Sequence, residues 1–378
     1  MLSSDHLYLN LGTVNNDSKP PYNSFPQLSF EETRNVPILT NASEYYMSVV
    51  RFQLETATLP VIIPIVKQGQ SNPNLLEYYI SMSYLDTGTG ITYSSGANVI
   101  FVPQNITASV PPVPNVSFND EYYYLNTIQP FINQINTCFA TVFNALYAQI
   151  VLPSNAPPFF TWDPSSGKPT LYAEYLTFDE NQPTQVVKIF FNSQLFTLFN
   201  SFDNEFLGFN RINQDNYRIR VKNLNLTANI PPIGNPSGPI TTYITVESEY
   251  SVLPLMNPVQ SIIFTSATLP IVPSMISKPV QYNADTITLN NQGNNALIQP
   301  IITDFCVPLD IGYEYKNTIT YSPTSEYRLI DMFGNTSISS VQISVFWSDQ
   351  NGQYHPFKLG SNCSASLKIL FRKKSFSR

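Results

Sequence analysis

From about residue 44 almost to the C-terminus, the chain is a succession of short runs rich in Val, Ile, Tyr, Phe and Thr, separated by turn residues. Runs this short satisfy their backbone groups by pairing with one another, so the rhythm predicts an all-β chain of sandwiches or barrels. They fall at 45–58, 75–85, 99–102, 171–177, 186–191, 217–221 and 241–250. The second part continues with 259–268, 286–289, 297–307, 313–321, 327–331, 341–347, 353–358 and 364–371. Val341-Gln-Ile-Ser-Val-Phe-Trp347 alternates well enough to predict one buried face, and Asn351-Gly352 beyond it predicts a type I′ hairpin.

One segment breaks the rhythm. Ile128, Phe131, Ile132, Ile135, Cys138, Phe139, Val142, Phe143 and Leu146 recur at helical spacing, and Pro130 sits where a first helical turn accepts it. This predicts an amphipathic helix over 128–147 packed on the sheets, with a shorter helical turn at 194–201. Residues 1–37 mix polar residues and prolines with isolated apolar ones, Leu7, Leu9, Leu11 and Tyr22 among them, and predict an extended arm without its own core. A first β domain is expected over 38–250, a second over 251–371 and a basic tail over 372–378. Ala57-Thr-Leu-Pro60 returns as Ala267-Thr-Leu-Pro270. That echo is either coincidence in a chain rich in Pro and Thr or the trace of two related barrels, each entered by an equivalent strand.

Composition closes several doors. With 43% apolar residues, 25 Phe and 23 Tyr, the chain can bury a large core and is not disordered. Charged residues are only 12%, so Asn, Ser, Thr, Gln and Tyr must cover the surface, which a freely soluble monomer usually avoids. A net charge of −7 without a basic stripe argues against a nucleic-acid enzyme. No apolar run of about 18 residues predicts a spanning helix. The opening MLSSDHLYLNLG lacks both parts of a secretory signal, so a protein that is not secreted is expected, and sequons such as Asn41-Ala-Ser43 are discounted. Cys138, Cys306 and Cys363 are odd in number and far apart, and read as buried thiols made in a reducing compartment.

Catalytic patterns are thin. Asp86-Thr-Gly-Thr89 fits an aspartic-protease signature, but that chemistry needs two aspartates sharing a proton and no second D-[ST]-G occurs. The same residues make a good polar turn. His6 lies in the predicted arm, and His355 precedes Pro356 with no nucleophile elbow to serve. Glu31, Glu32, Asp304 and Asp310 would bind calcium only if a subunit contact gathered them; isolated acids are usually just solvated. The expectation is no enzyme, no catalytic residues, no cofactor, no metal and no small-molecule substrate.

Assembly is better supported. Arg372, Lys373, Lys374 and Arg378 put four of the chain's 19 basic residues directly after an apolar run. They either blunt a sheet edge or anchor onto an acidic neighbour, the genome or an internal membrane. Together with Leu7, Leu9, Leu11 and Tyr22 of the arm, they are the expected inter-subunit contacts. Removing residues 1–30 is expected to leave a folded protein that assembles poorly.

The C-terminal third carries a resemblance. Asn257-Pro-Val-Gln-Ser-Ile-Ile-Phe-Thr265, Ile302-Thr-Asp-Phe305, Tyr313-Glu-Tyr-Lys316, Tyr321-Ser-Pro-Thr-Ser-Glu-Tyr-Arg328, Val345-Phe-Trp-Ser-Asp349 and Ser364-Ala-Ser-Leu-Lys-Ile-Leu-Phe-Arg-Lys-Lys374 resemble minor capsid, or penton-type, proteins of virophages and Polinton-like viruses. These belong to the adenovirus-like lineage. The resemblance covers roughly 257–374 and lies in the phrasing of strands, not in catalytic motifs. It implies jelly-roll folding and a structural virion protein at the fivefold vertices of an icosahedral capsid, with loops near 86–91 and at 293–295 expected to face outward or toward a vertex. The implied partners are itself, as a pentamer, and neighbouring capsid proteins; the implied location is the virion, after synthesis in the host cytoplasm or nucleus. If the echo marks two barrels, the alternative is a small double-jelly-roll major capsid protein forming pseudo-hexameric trimers. A glycan-binding attachment module is the remaining reading, with only Trp162 and Trp347 available as indole platforms.

Overall fold

A computed structural model of the chain describes residues 5–17, 25–105, 108–113, 120–209, 211, 214–224, 227–231, 240–272, 274–276, 281–283, 286–288, 297–307, 318–322 and 328–374. The first strands are β1 (His6–Val14), β2 (Ser29–Thr33) and β3 (Tyr45–Glu55). A long hairpin follows, β4 (Leu75–Asp86) and β5 (Ile91–Ile100), then helix α1 (Gln129–Tyr147). Next come β6 (Phe159–Asp163), β7 (Lys168–Glu174), the turn-length helix α2 (Tyr175–Phe178), β8 (Lys188–Phe191) and α3 (Ser193–Leu198). β9 (Asn204–Phe206), β10 (Tyr217–Ile219), β11 (Thr227–Ile230), β12 (Thr241–Glu247) and α4 (Leu253–Met256) lead to β13 (Ser261–Thr265). Four short strands, β14 (Ser274–Ile276), β15 (Gln281–Asn283), β16 (Thr286–Thr288) and β17 (Leu297–Gln299), precede the last group. That group is β18 (Ile301–Cys306), β19 (Thr318–Tyr321), β20 (Ile330–Asp331), β21 (Ser340–Ser348), β22 (Tyr354–Pro356) and β23 (Ser364–Lys373).

These elements form two compact units. Unit 1 draws on 1–59, 258–308 and 315–378, and unit 2 mainly on 60–257. The division is not the sequential one expected at residue 250. The first 59 residues belong with the C-terminal part, because β3 pairs along β23 and completes its sheet.

Unit 1 is a jelly roll. One sheet runs β1-β23-β3-β19 and the other β2-β21-β13-β18, the interleaved order of eight strands in two packed sheets. The alternation in β21 places Val341, Ile343, Val345 and Trp347 in the interior. Aromatic rings tie the two sheets together: Phe52 of β3 lies 5.1 Å from Phe264 of β13 and 4.8 Å from Phe305 of β18. A register shift between Lys368 and Ile369 passes over Val50, so that Val49 and Val50 are both buried. The Asn351-Gly352 hairpin forms, but only Gly352 has positive φ (69°). Type I′ geometry needs two such residues, and the Asp349 carboxylate stabilises a different turn by accepting the Asn351 and Gln353 N–H groups.

Unit 2 enters the chain between the third and fourth jelly-roll strands. Its sheets run β5-β4-β8-β10-β9 and β11-β12-β7-β6, orders that do not repeat the jelly roll. Helix α1 starts at Gln129 with Pro130 in its first turn, and its apolar face is buried. Phe139 reaches both sheets, 5.5 Å from Phe160 of β6 and 6.0 Å from Phe191 of β8. The helix is therefore core to this unit. Asn136 on its side donates to the Phe160 carbonyl (2.8 Å) and accepts the Phe160 N–H (2.7 Å), so that a side chain does for β6 what a neighbouring strand would. The helical turn expected at 194–201 is α3.

The two copies of Ala-Thr-Leu-Pro follow two strands of unit 1, shortly after β3 and shortly after β13. They do not mark two barrels. Each threonine locks the exit of its strand: Thr58 Oγ1 donates to the Lys358 carbonyl at 2.5 Å, and Thr268 Oγ1 accepts the Gln342 N–H at 3.0 Å. The following Leu59 and Leu269 are buried.

Candidate assembly surfaces

The expected arm is a sheet strand. β1 pairs with β23 residue for residue from His6 opposite Arg372 to Val14 opposite Ser364. Leu9 and Leu11 are buried within unit 1, because their alternate positions face the sandwich interior, and only Leu7 stays exposed. Tyr8 points outward beneath Lys368, whose ammonium lies 4.7 Å from the ring centroid. β2 likewise pairs with β21, so the segment 1–37 contributes two strands to the jelly roll. Tyr22 lies outside the described residues.

The basic cluster is divided. Arg372 is exposed at the end of β23. The Lys373 N–H donates to the Asp5 carbonyl at 2.8 Å, and its ammonium lies 3.5 Å from Glu44 Oε2. Lys374 is held more fully: its ammonium donates to the carbonyls of Ser43 (2.7 Å) and Met332 (3.0 Å), pairs with Asp331 and sits 5.1 Å over the Tyr46 ring. Two of the four basic residues thus close unit 1 on itself. Arg378 lies outside the described residues.

The catalytic-looking residues resolve into structure. Asp86 caps the β4–β5 turn, accepting the Gly88 N–H (2.9 Å) and the Thr89 hydroxyl (2.7 Å). Those bonds hold its carboxyl below the usual carboxylate range. His355 Nε2 lies 3.0 Å from Asp349 Oδ2, and its ring stacks on Trp347 with centroids 4.1 Å apart, which leaves that indole buried and unavailable to a sugar. A cleft of about 690 Å³ in unit 1 is bordered by Ser261, Asp304, Arg328 and Tyr354, and its acid and base pair with each other. No group of three or more metal-ligating side chains occurs among the described residues. Cys138 and Cys363 are buried and burial pushes their thiols up, to about 12 and about 11, whereas Cys306 is exposed, contrary to expectation. It ends β18, the outer strand of its sheet, where the side chain escapes the core.

Sequence reasoning missed an aromatic cluster at the β9 end of unit 2. Phe196 and Tyr217 stack 3.8 Å apart, Tyr217 meets Phe206 at 4.9 Å, and Phe206 meets Phe209 at 4.8 Å. Nearby, Glu180 bridges Arg218 (2.9 Å) and Arg220 (2.7 Å), with Glu205 3.1 Å from Arg218. The signal lay in Phe206-Leu-Gly-Phe209, a pair of aromatics around a glycine (φ 108°) in an otherwise polar stretch.

Residues 7–373 match the family described as Sputnik minor capsid protein V18/19. The chain belongs to that family. Structural protein V19 of Sputnik virophage is 31% identical to this V18/19-family protein over 219 residues, covering 58% of this chain and 95% of V19. Protein V18 of the same virophage is 35% identical over 150 residues, 38% of this chain and 85% of V18. Among solved structures, a chain of the Sputnik virophage particle at 3.5 Å, determined by cryo-EM, superposes over the full length of both chains with TM-score 0.80 and 30% identity. Mavirus penton protein superposes with TM-score 0.63 over 98% of this chain and 99% of its own, at 17% identity, a likeness of fold. The V18/19-family protein is therefore a minor capsid protein, a structural component of the virion that assembles with other capsid components, and its relative V19 is a structural protein.

Proposed function

We propose that this minor capsid protein is the penton subunit of its particle, five copies closing each fivefold vertex through contacts between their jelly rolls and with neighbouring capsid proteins. The observation that carries the reading is the presence of one jelly roll per chain. A pseudo-hexameric trimer needs six jelly rolls from three chains, and unit 2, with its own strand orders and central helix, does not supply the second. The fold shared with a protein that is itself called a penton supports the same conclusion. The low charge content favours it too, because a surface covered by Asn, Ser, Thr and Tyr suits polar complementarity across symmetric interfaces.

Native mass spectrometry of the purified full chain tests the proposal. Five copies are expected. Three copies would return the chain to the trimeric reading, and a stable single copy would end the capsomer reading altogether.

A further inference from the structure

The acidity of the chain is not shared between its units. Unit 1 carries 12 Lys and Arg against 11 Asp and Glu, a net +1, whereas unit 2 carries 7 against 15, a net −8. Within unit 1, the outward face of sheet β1-β23-β3-β19 gathers cations that lie at opposite ends of the sequence. Lys368 of β23 stands directly opposite Arg51 of β3, on the face away from buried Leu367 and Ile369. Like charges directly across a ladder repel, and among the described residues neither is paired with a carboxylate. The bordering acids are taken: Glu44 by Lys373, Asp331 by Lys374, and Glu55 by the N–H and hydroxyl of Ser364. Neutral polar side chains surround the pair instead. Asn10 lies opposite Lys368 and Gln53 opposite Ser366, while Tyr8, 48% exposed, sits beneath the Lys368 ammonium. Arg51, Asn10 and Gln53 are exposed. Arg372, also exposed, follows four residues along β23 on the same face, beyond buried Leu370 and about 13 Å from Lys368 at the usual rise of a strand.

We infer that this face of the jelly roll binds the phosphates of the nucleic acid packaged in the particle. The charge is complementary and the donor set is that of an oxyanion site. A guanidinium fork, an ammonium, two amides and a hydroxyl offer N–H and O–H groups, with no carboxylate among them to compete. A compact anion touches only the Arg51–Lys368 pair. A chain of phosphates, with one charge for about every 3.4 Å of each strand, reaches Arg372 as well and needs no unique register to do so. Contacts to the backbone alone carry no sequence information, which suits a shell that encloses a whole genome. A lipid surface is the poorer fit, because the exposed positions around Arg51 and Lys368 are polar and offer no aliphatic side chain to insert among headgroups. No single stretch of sequence shows the site, since β23 and β3 must pair before its cations meet.

The inference does not depend on the number of copies in the capsomer. Fluorescence anisotropy of a labelled random-sequence duplex DNA tests it on the purified full chain, in a salt series beginning at about 20 mM. Wild type is expected to bind, with log K falling against log salt at a slope of about −2.7, from 0.9 for each of three cations. Arg51→Gln/Lys368→Gln is expected to bind about tenfold more weakly at the lowest salt, with a slope shallower by about two. Arg34→Gln, which removes a guanidinium held by Glu32, is expected to match wild type. Circular dichroism checks the fold, and Arg372→Gln, expected to lower the slope by about one, gives the readout should the double variant fail to fold. Absence of binding by wild type at the lowest salt overturns the inference. Equal binding by the double variant places the DNA contact elsewhere and overturns this site. Vesicles of phosphatidylserine and phosphatidylcholine are measured in parallel; tighter binding to them than to DNA, lost in the same variant, overturns nucleic acid in favour of a membrane. A double variant that forms a smaller oligomer than wild type by native mass spectrometry gives the face to a contact between copies, and overturns the inference likewise.

Discussion

Leu9 of β1 sits opposite Ile369 of β23, and both side chains are buried in the jelly-roll core. β1 is the outer strand of its sheet and shields the backbone edge of β23. Leu9→Ala is expected to cost about 2–5 kcal/mol, the range for truncating a buried leucine. Deleting residues 1–30 removes β1 and the start of β2 with its buried Phe30, so the expected product is a misfolded or aggregating chain, not a folded protein that merely assembles poorly. Equilibrium urea unfolding of the variant and solubility of the truncation check the two outcomes.

Lys374 links the residues before β3 to those after β20 through two carbonyls. Its removal leaves two backbone acceptors without their charged donor. Lys374→Ala is expected to lower stability by about 1.5–3 kcal/mol, the worth of hydrogen bonds to a charged group. Arg372→Ala, an exposed position, is expected to fall within about 0.5 kcal/mol of wild type. Thermal melts of both variants separate a closing residue from a surface one; equal losses would refute the distinction.

The Asp349–His355 pair makes the β21–β22 hairpin sensitive to acid. Burial raises the Asp349 pKa, but hydrogen bonds from His355 and from the Gln353 and Asn351 N–H groups outweigh it and hold the carboxyl below its ordinary range. A carboxylate depressed in the folded state stabilises the protein above its unfolded pKa, about 3.9, and that contribution fades as pH falls through the lower folded value. Asp349→Asn is therefore expected to be less stable than wild type at pH 7 by about 1.5–3 kcal/mol. The gap should begin to narrow as pH falls below about 4. Chemical denaturation from pH 3 to 7 measures the difference; a constant gap across that range would count against the carboxylate.

Much of the fold was legible in the sequence because strand period and helix period are local. Val341 to Trp347 alternates so plainly that one face could be assigned, and the spacing from Ile128 to Leu146 named the helix within a residue of its observed start. What stayed hidden was pairing across long separations. Nothing within His6 to Val14 states that its partner is the strand beginning at Ser364, so an outer strand with two buried leucines reads as an arm. The same blindness turned the Ala-Thr-Leu-Pro echo into a candidate second barrel, when the two copies follow different strands of one jelly roll. Lys373 and Lys374 read as free charge because their acceptors lie some 40 and 330 residues away in sequence. The Phe206–Phe209 cluster escaped notice because it is assembled from residues on three elements.

Gly96 on β5 lies beneath the ring of Tyr79 on β4, and a Cβ there would collide with the phenol oxygen and the ring carbon that bears it. The strand therefore takes a glycine, despite its low strand preference, because the cross-strand ring occupies the place of its side chain. Gly96→Ala is expected to destabilise unit 2 by about 1–3 kcal/mol, the cost of forcing a methyl into occupied space. Tyr79→Ser in the same chain should recover part of that loss, since it removes the obstacle. Because the two residues touch, their effects should not add, and a double-mutant cycle by urea unfolding reads the coupling directly. Strict additivity would mean that the ring moves aside freely and that glycine is required here for some other reason. A positive coupling would establish that the Tyr79 ring fills the space a side chain at position 96 would need.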